Sequence, residues 1–136
     1  MFTRRFASAE LERAWLEDDE SARWRSTSGH GPESGAAASG SSLLEIAPGC
    51  VLPRHTDSAE ETIVVVDGEA ELTVGSESGR VGAGDVALVP EGVPHEVRND
   101  GAQPLRFVAV YAGTDVVTTY ERPVQPDGSP ERQTVG

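Results

Sequence analysis

The stretch GCVLPRHTDSAEETIVVVDG, residues 49–68, places several groups that can bind a metal ion directly before a run of apolar residues. His55 and Asp57 are two residues apart, so on an extended chain their side chains lie on one face. If the strand resumes at Glu61, Ile63 continues the same face. The stretch therefore predicts two strands whose interior face carries His55, Asp57 and Glu61.

The same alternation sorts the residues between these positions. Glu60 is adjacent to Glu61 and must point to the opposite side, so we expect Glu60 to be solvent-exposed. Val64 and Val66 share the outer parity, which makes the outer face of this strand apolar as well. Such a strand needs cover on both faces, so we expect the N-terminal segment or a second subunit to cover it.

A second stretch, GDVALVPEGVPHEVRN at residues 84–99, contains another histidine in an alternating pattern. His95 shares its parity with Val93 and Val97, which predicts that its side chain also points to the interior. Short segments of this kind, bounded by Gly or Pro and without helical patterns between them, indicate an all-β sandwich or barrel. Asp67-Gly68 suits a type I′ turn and predicts a hairpin between the flanking strands.

Three regions follow from composition. Residues 1–42 are predicted to be an N-terminal extension, with a weak helix over 8–25 and then a flexible polar loop. Residues 43–119 are predicted to form the barrel, and residues 120–136 a polar C-terminal tail.

The formal net charge of −12 argues against binding to nucleic acid or to an anionic membrane surface. No apolar run reaches the roughly 18 residues of a membrane span, and no apolar leader is evident, so we expect a cytoplasmic protein. Cys50 is the single cysteine, which excludes an internal disulfide and a multi-cysteine zinc site.

The two stretches resemble the signature motifs of the cupin superfamily, G-x5-H-x-H-x3-E-x6-G and G-x5-P-x-G-x2-H-x3-N. Nine of the ten motif positions match, and Asp57 stands where the family has its second histidine. The resemblance implies an all-β fold, the cupin double-stranded β-helix or jelly-roll barrel of six to eight strands, here with an N-terminal extension. It also implies a homodimer.

The resemblance further implies one divalent transition metal (Fe, Mn, Zn or Ni) held by His55, Glu61 and His95. Three roles are open for Asp57: a fourth ligand, a general base beside a metal-bound water, or a solvated residue at the cavity mouth. Asp57 and Glu61 are the predicted catalytic groups, and Arg106, Phe107 and Tyr111 the predicted substrate-binding residues.

Cupins of this size include dioxygenases, polyketide cyclases, isomerases and small-molecule sensors. We therefore expect a metal-binding cupin that acts on a small organic molecule, such as an aromatic or polyketide-like compound, as a dioxygenase or cyclase. A non-catalytic binding or sensing cupin is one alternative. An Fe(II)/2-oxoglutarate oxygenase is another, because His55-x-Asp57, His95 and the distal Arg106 resemble its metal and cosubstrate motif.

Overall fold

The computed structural model describes all residues, 1–136, and is built almost entirely from antiparallel strands. Two short 3₁₀ turns, Phe6–Ser8 and Pro32–Ser34, are its only helical segments. The strands are β1 Glu12–Leu16, β2 Asp19–Ser28, β3 Gly40–Ile46, β4 Val51–Asp57, β5 Glu61–Asp67, β6 Glu69–Val74, β7 Glu77–Gly82, β8 Val86–Val89, β9 His95–Arg98, β10 Leu105–Tyr111, β11 Val116–Val124 and β12 Ser129–Val135. No helix in the chain has the length and apolar character that crossing a bilayer requires.

The twelve strands form two six-stranded sheets, which we call sheets A and B. Sheet A has the order β1-β2-β3-β10-β5-β8, and sheet B has the order β12-β11-β4-β9-β6-β7. Alternate side chains of each sheet point into one shared core of 23 buried residues, in which Ile46, Leu105 and Phe107 are at most 1% exposed. This arrangement confirms the predicted all-β jelly-roll fold, with more strands than the six to eight expected.

The predicted hairpin at Asp67-Gly68 is wrong. β5 pairs with β10 and β8 in sheet A, whereas β6 pairs with β7 and β9 in sheet B. The chain therefore passes from one sheet to the other at this point. Gly68 has φ +82°, and a Cβ there would lie 2.6 Å from the Pro104 carbonyl oxygen, so close approach of the two segments requires glycine.

The predicted helix over residues 8–25 is also wrong, because this region forms β1 and β2 at the edge of sheet A. Ala22 and Trp24 are buried, while Arg23 and Arg25, which alternate with them, are exposed. This two-residue alternation fits a half-buried strand, and pairing with β3 outweighs the local helix propensity. The N-terminal extension therefore lengthens sheet A.

The C-terminal residues differ from the polar tail expected for 120–136. β11 continues to Val124, and β12 returns beside it as the edge strand of sheet B. Val124 and Val135 are buried, so two apolar anchors fix a segment whose remaining residues are polar. The sheets thus extend on both sides of the predicted 43–119 barrel boundary.

The outer face of sheet A around β5 and β8 remains uncovered within the chain. Val64 is half-buried, whereas Val66, Val86 and Leu88 are 45%, 68% and 58% exposed. The N-terminal strands extend the opposite edge of this sheet, beyond β3, and do not fold over this face.

Candidate metal centre and cavity

Three strands deliver four polar side chains to one point of the interior. β4 carries His55 and Asp57, β5 carries Glu61, and β9 carries His95 directly opposite His55 in the pairing of the two strands. All four side chains are buried, and one donor atom from each lies within 4.8 Å of the others. The parity predicted from the sequence therefore brings together the residues singled out as metal ligands, and Glu60 is exposed as expected.

The two histidines are oriented in the same way by the backbone. His55 Nδ1 lies 2.7 Å from the Pro53 carbonyl oxygen, and His95 Nδ1 lies 2.9 Å from the Val93 carbonyl oxygen. A carbonyl oxygen can only accept, so each Nδ1 carries a hydrogen and each ring presents Nε2 to the cluster. A backbone acceptor on the far nitrogen is the arrangement that usually fixes a metal-binding histidine.

His95 bears a proton on Nε2 as well. This atom lies 2.9 Å from Glu61 Oε1 and 3.2 Å from Asp57 Oδ2, and both are acceptors when ionised. Burial lowers the pKa of His95, but the hydrogen-bonding and charge interactions with Asp57 and Glu61 outweigh burial and raise this pKa to about 10. The His95 side chain is therefore an imidazolium between two carboxyl groups.

Burial and neighbouring charges also shift the pKa values of His55, Glu61 and Asp57. Burial, together with the charge of His95, lowers the pKa of His55 to about 4, so the His55 ring is neutral and its Nε2 offers a lone pair. Burial raises the pKa of Glu61 to about 7, although its hydrogen bond with His95 opposes the shift. For Asp57, burial is outweighed by contacts with His95, His55 and Thr118, and its pKa is lowered.

Asp57 is held in place by β11. Thr118 Oγ1 donates to Asp57 Oδ1 at 2.6 Å, and Thr134 donates in turn to Thr118. The other oxygen, Oδ2, is buried and has no aligned hydrogen-bond donor, since the His95 proton is directed to Glu61. Because Asp57 is only 4% exposed, it is not the solvated residue at the cavity mouth that one interpretation of the sequence allowed.

This donor set suits a divalent metal ion. Two imidazole nitrogens and two carboxylates are ligands that Fe(II), Mn(II), Zn(II) and Ni(II) share, and two carboxylates balance the charge of a divalent cation. The buried Oδ2 of Asp57 without a hydrogen bond is a position that a cation would satisfy. The protonated His95 lies between the two carboxyl groups, where it offsets part of the charge that such a cation would balance.

The cluster opens into a cavity of about 360 Å³ between the two sheets. His55 and Glu61 line this cavity, together with the aromatic side chains of Trp24, Tyr111 and Tyr120. The Trp24 and Tyr120 rings stack with their centroids 5.2 Å apart, and the Tyr120 ring lies 5.1 Å from the His55 ring. Burial raises the pKa of both tyrosines, which keeps their phenols protonated. The cavity thus joins an aromatic wall to a group of polar side chains.

Of the predicted substrate-binding residues, the structure brings only Tyr111 to this cavity. The Arg106 side chain lies on the outer face of sheet A, where it pairs with Glu45 at 2.7 Å and with Asp67 at 3.6 Å. Phe107 is 1% exposed and belongs to the apolar core. The position of Arg106 removes the basis of the comparison with 2-oxoglutarate oxygenases, which required this side chain beside the metal.

The sequence interpretation missed the contribution of β11 and β12. Thr118, Tyr120 and Arg132 all line the cavity, although the last two lie in the segment predicted to be a polar tail. The available signal was alternation: Val116, Thr118 and Tyr120 are buried, and Val117 and Thr119 are more exposed. That pattern extends the interior face of a strand past the predicted boundary.

The family model described as "Cupin domain" matches residues 42–111, which include both motif stretches. The chain belongs to the cupin family.

Solved cupin structures are similar in fold. A predicted oxalate decarboxylase from Thermotoga maritima is 21% identical, with a TM-score of 0.69 over 83% of this chain and 99% of that one. The polyketide cyclase RemF from Streptomyces resistomycificus is 21% identical, with a TM-score of 0.66 over 82% and 78% of the two chains. The Cnp3 cupin domain of Schizosaccharomyces pombe is 17% identical, with a TM-score of 0.66 over 80% and 72%. No curated protein matches the sequence.

Proposed function

We propose that the protein is a metal-dependent cupin enzyme that acts as a dioxygenase or cyclase on a small organic molecule. One observation carries the proposal: four buried donor groups lie within 4.8 Å of one another, and two of them, His55 and Glu61, line a cavity large enough for such a molecule. The similarity to a polyketide cyclase and to oxalate decarboxylases is compatible with this proposal at the level of the fold.

The proposed ligands are His55 and His95 through Nε2, together with the carboxylates of Glu61 and Asp57. Asp57 is assigned as a direct ligand because Thr118 occupies its Oδ1 and leaves Oδ2 facing His95. A divalent ion held there would act as a Lewis acid towards a substrate oxygen or as the binding site for dioxygen.

In the proposed reaction, different side chains transfer the proton and bind the substrate. Glu61 lines the cavity and Asp57 does not, so Glu61 is the carboxylate placed to receive a substrate proton. The stacked rings of Trp24 and Tyr120 form a wall against which a planar substrate can lie. Burial of the whole cluster limits the access of bulk water to the reacting atoms.

Metal content tests the first half of the proposal. Protein purified without chelators or a histidine tag should contain one transition metal ion per chain by elemental analysis. Glu61→Gln should lose most of this metal, whereas Glu60→Gln, the same change at the exposed neighbouring position, should keep it. Absence of stoichiometric metal after reconstitution with Fe(II), Mn(II), Zn(II) and Ni(II) would refute a metal centre.

Turnover tests the second half. The metal-loaded protein should consume dioxygen with phenolic or diketone compounds, or cyclise a polyketide-like chain without oxygen uptake. Loss of turnover in Glu61→Gln and its retention in Glu60→Gln would link the reaction to the cluster. Tight binding of such compounds to the metal-loaded protein without any turnover would instead identify the non-catalytic binding or sensing cupin.

We also propose that the protein is a homodimer formed through the outer face of sheet A. Val66, Val86 and Leu88 form an exposed apolar group on this face, which supports the proposal. β8 is in addition the edge strand of sheet A and has no neighbouring strand on its outer side. The cytoplasmic location stays a prediction from the sequence.

A further inference from the structure

Besides Asp57, one other side chain has a buried polar atom without a hydrogen-bond partner, and it lines the cavity. Arg132 of β12 lines the cavity, and its Nη1 atom is buried without a hydrogen-bond acceptor. None of the nine ion pairs in the chain involves this side chain. A buried guanidinium nitrogen without an acceptor is costly, so the structure leaves a strong donor unused.

The sheet register places this donor in relation to the metal cluster. Thr118 pairs with Asp57 on one side and with Arg132 on the other, so the three residues form one row across sheet B. Two strand spacings separate the backbones of Asp57 and Arg132 by about 10 Å. Asp57 Oδ2 and Arg132 Nη1 therefore belong to one row of sheet B, both lack a hydrogen-bond partner, and they do not pair with each other.

Two neighbouring groups of opposite charge that each lack a hydrogen bond and do not pair with each other indicate that each has another partner. The metal ion of the proposed function is the partner for Asp57. The partner for Arg132 is then an anion that enters the cavity, since Glu12 and Glu61 are the acidic residues lining it and neither makes an ion pair with Arg132.

We propose that the cavity binds an organic carboxylate, with Arg132 receiving the carboxylate group. The guanidinium offers parallel N–H donors that match the two oxygens of a carboxylate. Trp24, Tyr111 and Tyr120 surround the remaining space and contact the organic part of the ligand. This inference rests on the proposed function only for the neighbouring metal; the Arg132 contact itself does not require the ion.

Benzoate and benzamide are matched probes for this site, because they differ mainly in the charge of the group that Arg132 would meet. Binding is measured by isothermal titration calorimetry with the metal-free and the Mn(II)-loaded protein. Wild-type protein should bind benzoate at least about 30-fold more tightly than benzamide, the range expected for a desolvated charge pair. Arg132→Gln should remove this preference, and Arg132→Lys should restore part of it.

Arg106→Gln is the control, since it removes the same charge from the outer face of sheet A and should leave benzoate binding within about twofold. Mn(II) stoichiometry close to wild type in Arg132→Gln would establish that this variant is folded. Failure of the wild type to bind benzoate below about 10 mM, or equal binding of benzoate and benzamide, would overturn the inference.

The same experiment separates this inference from the proposed function. If Mn(II) binds but benzoate does not, the metal cupin stands and the carboxylate site is refuted. If Mn(II) does not bind but the metal-free protein prefers benzoate through Arg132, the carboxylate site stands and the metal-dependent function is refuted.

Discussion

Loading the cluster with a metal ion should release protons even at alkaline pH, because His95 must lose the Nε2 proton that it donates to Glu61. At pH 8.5 a His95 with a pKa of about 10 is still protonated, whereas His55, with a pKa of about 4, is neutral. A metal that binds His95 Nε2 must displace its hydrogen. We therefore expect about one proton to be released per metal ion at pH 8.5.

The number of protons released per metal ion should increase at lower pH. Burial raises the pKa of Glu61 to about 7, so at pH 7 this carboxyl group is about half protonated and adds to the proton of His95. The expected release is then about 1.5 protons per ion. Two histidines and two carboxyls with ordinary pKa values would release about 0.5 protons at pH 7 and almost none at pH 8.5.

Calorimetric titration with Mn(II), under anaerobic conditions and in two buffers of different ionisation enthalpy, measures this number directly. Mn(II) is preferable to Zn(II), because a zinc-bound water can itself lose a proton near pH 7. The affinity should also rise about tenfold per pH unit near pH 8. Release of fewer than about 0.3 protons at pH 8.5, with an affinity that does not change with pH, would refute the assignment of a proton on His95 Nε2.

Three further predictions concern single contacts. Thr118→Val removes the donor to Asp57 Oδ1, so Mn(II) affinity measured by titration should fall about 10-fold or more, while the exposed Thr119→Val should leave it unchanged. Phe107→Ala should lower the free energy of unfolding, measured in urea, by about 3–5 kcal/mol, because this side chain is fully buried in the core and does not line the cavity. An equally large loss of stability for Val110→Ala, a change at a half-buried position, would contradict this interpretation. Leu88→Lys should convert the proposed dimer to a folded monomer by light scattering, and a wild-type monomer would refute that interface.

The sequence predicted the interior face of the site accurately because the relevant strands alternate strictly. His55, Asp57 and Glu61 are each buried, and the adjacent Glu60 is exposed, as the two-residue period requires. The shared parity of Val93, His95 and Val97 likewise predicted that the His95 side chain on β9 points to the interior. Four donors from three strands could therefore be placed together before their distances were known.

Strand pairing was less predictable, because alternation fixes which face a residue occupies but not which strand lies beside it. Asp67-Gly68 has the composition of a hairpin turn, and the chain instead crosses between sheets there. For β12 the difficulty was different. Most of its residues are polar and exposed, and its stability depends on Val135 and on pairing with β11, contacts that no local pattern shows.

Under the proposed metal and carboxylate sites, the departure from the family motif at Asp57 would change where the positive charge lies. A histidine at position 57 would give a site of three neutral imidazoles and one carboxylate, with a formal charge of +1 around a divalent ion. Asp57 reduces that charge to zero, and Arg132 supplies one positive charge elsewhere in the same cavity, two strands away. The positive group that an anion would meet is then a planar hydrogen-bond donor rather than the metal centre. A carboxylate ligand would then be positioned by Arg132, and the metal would be left free to bind a different atom of the ligand or a second reactant.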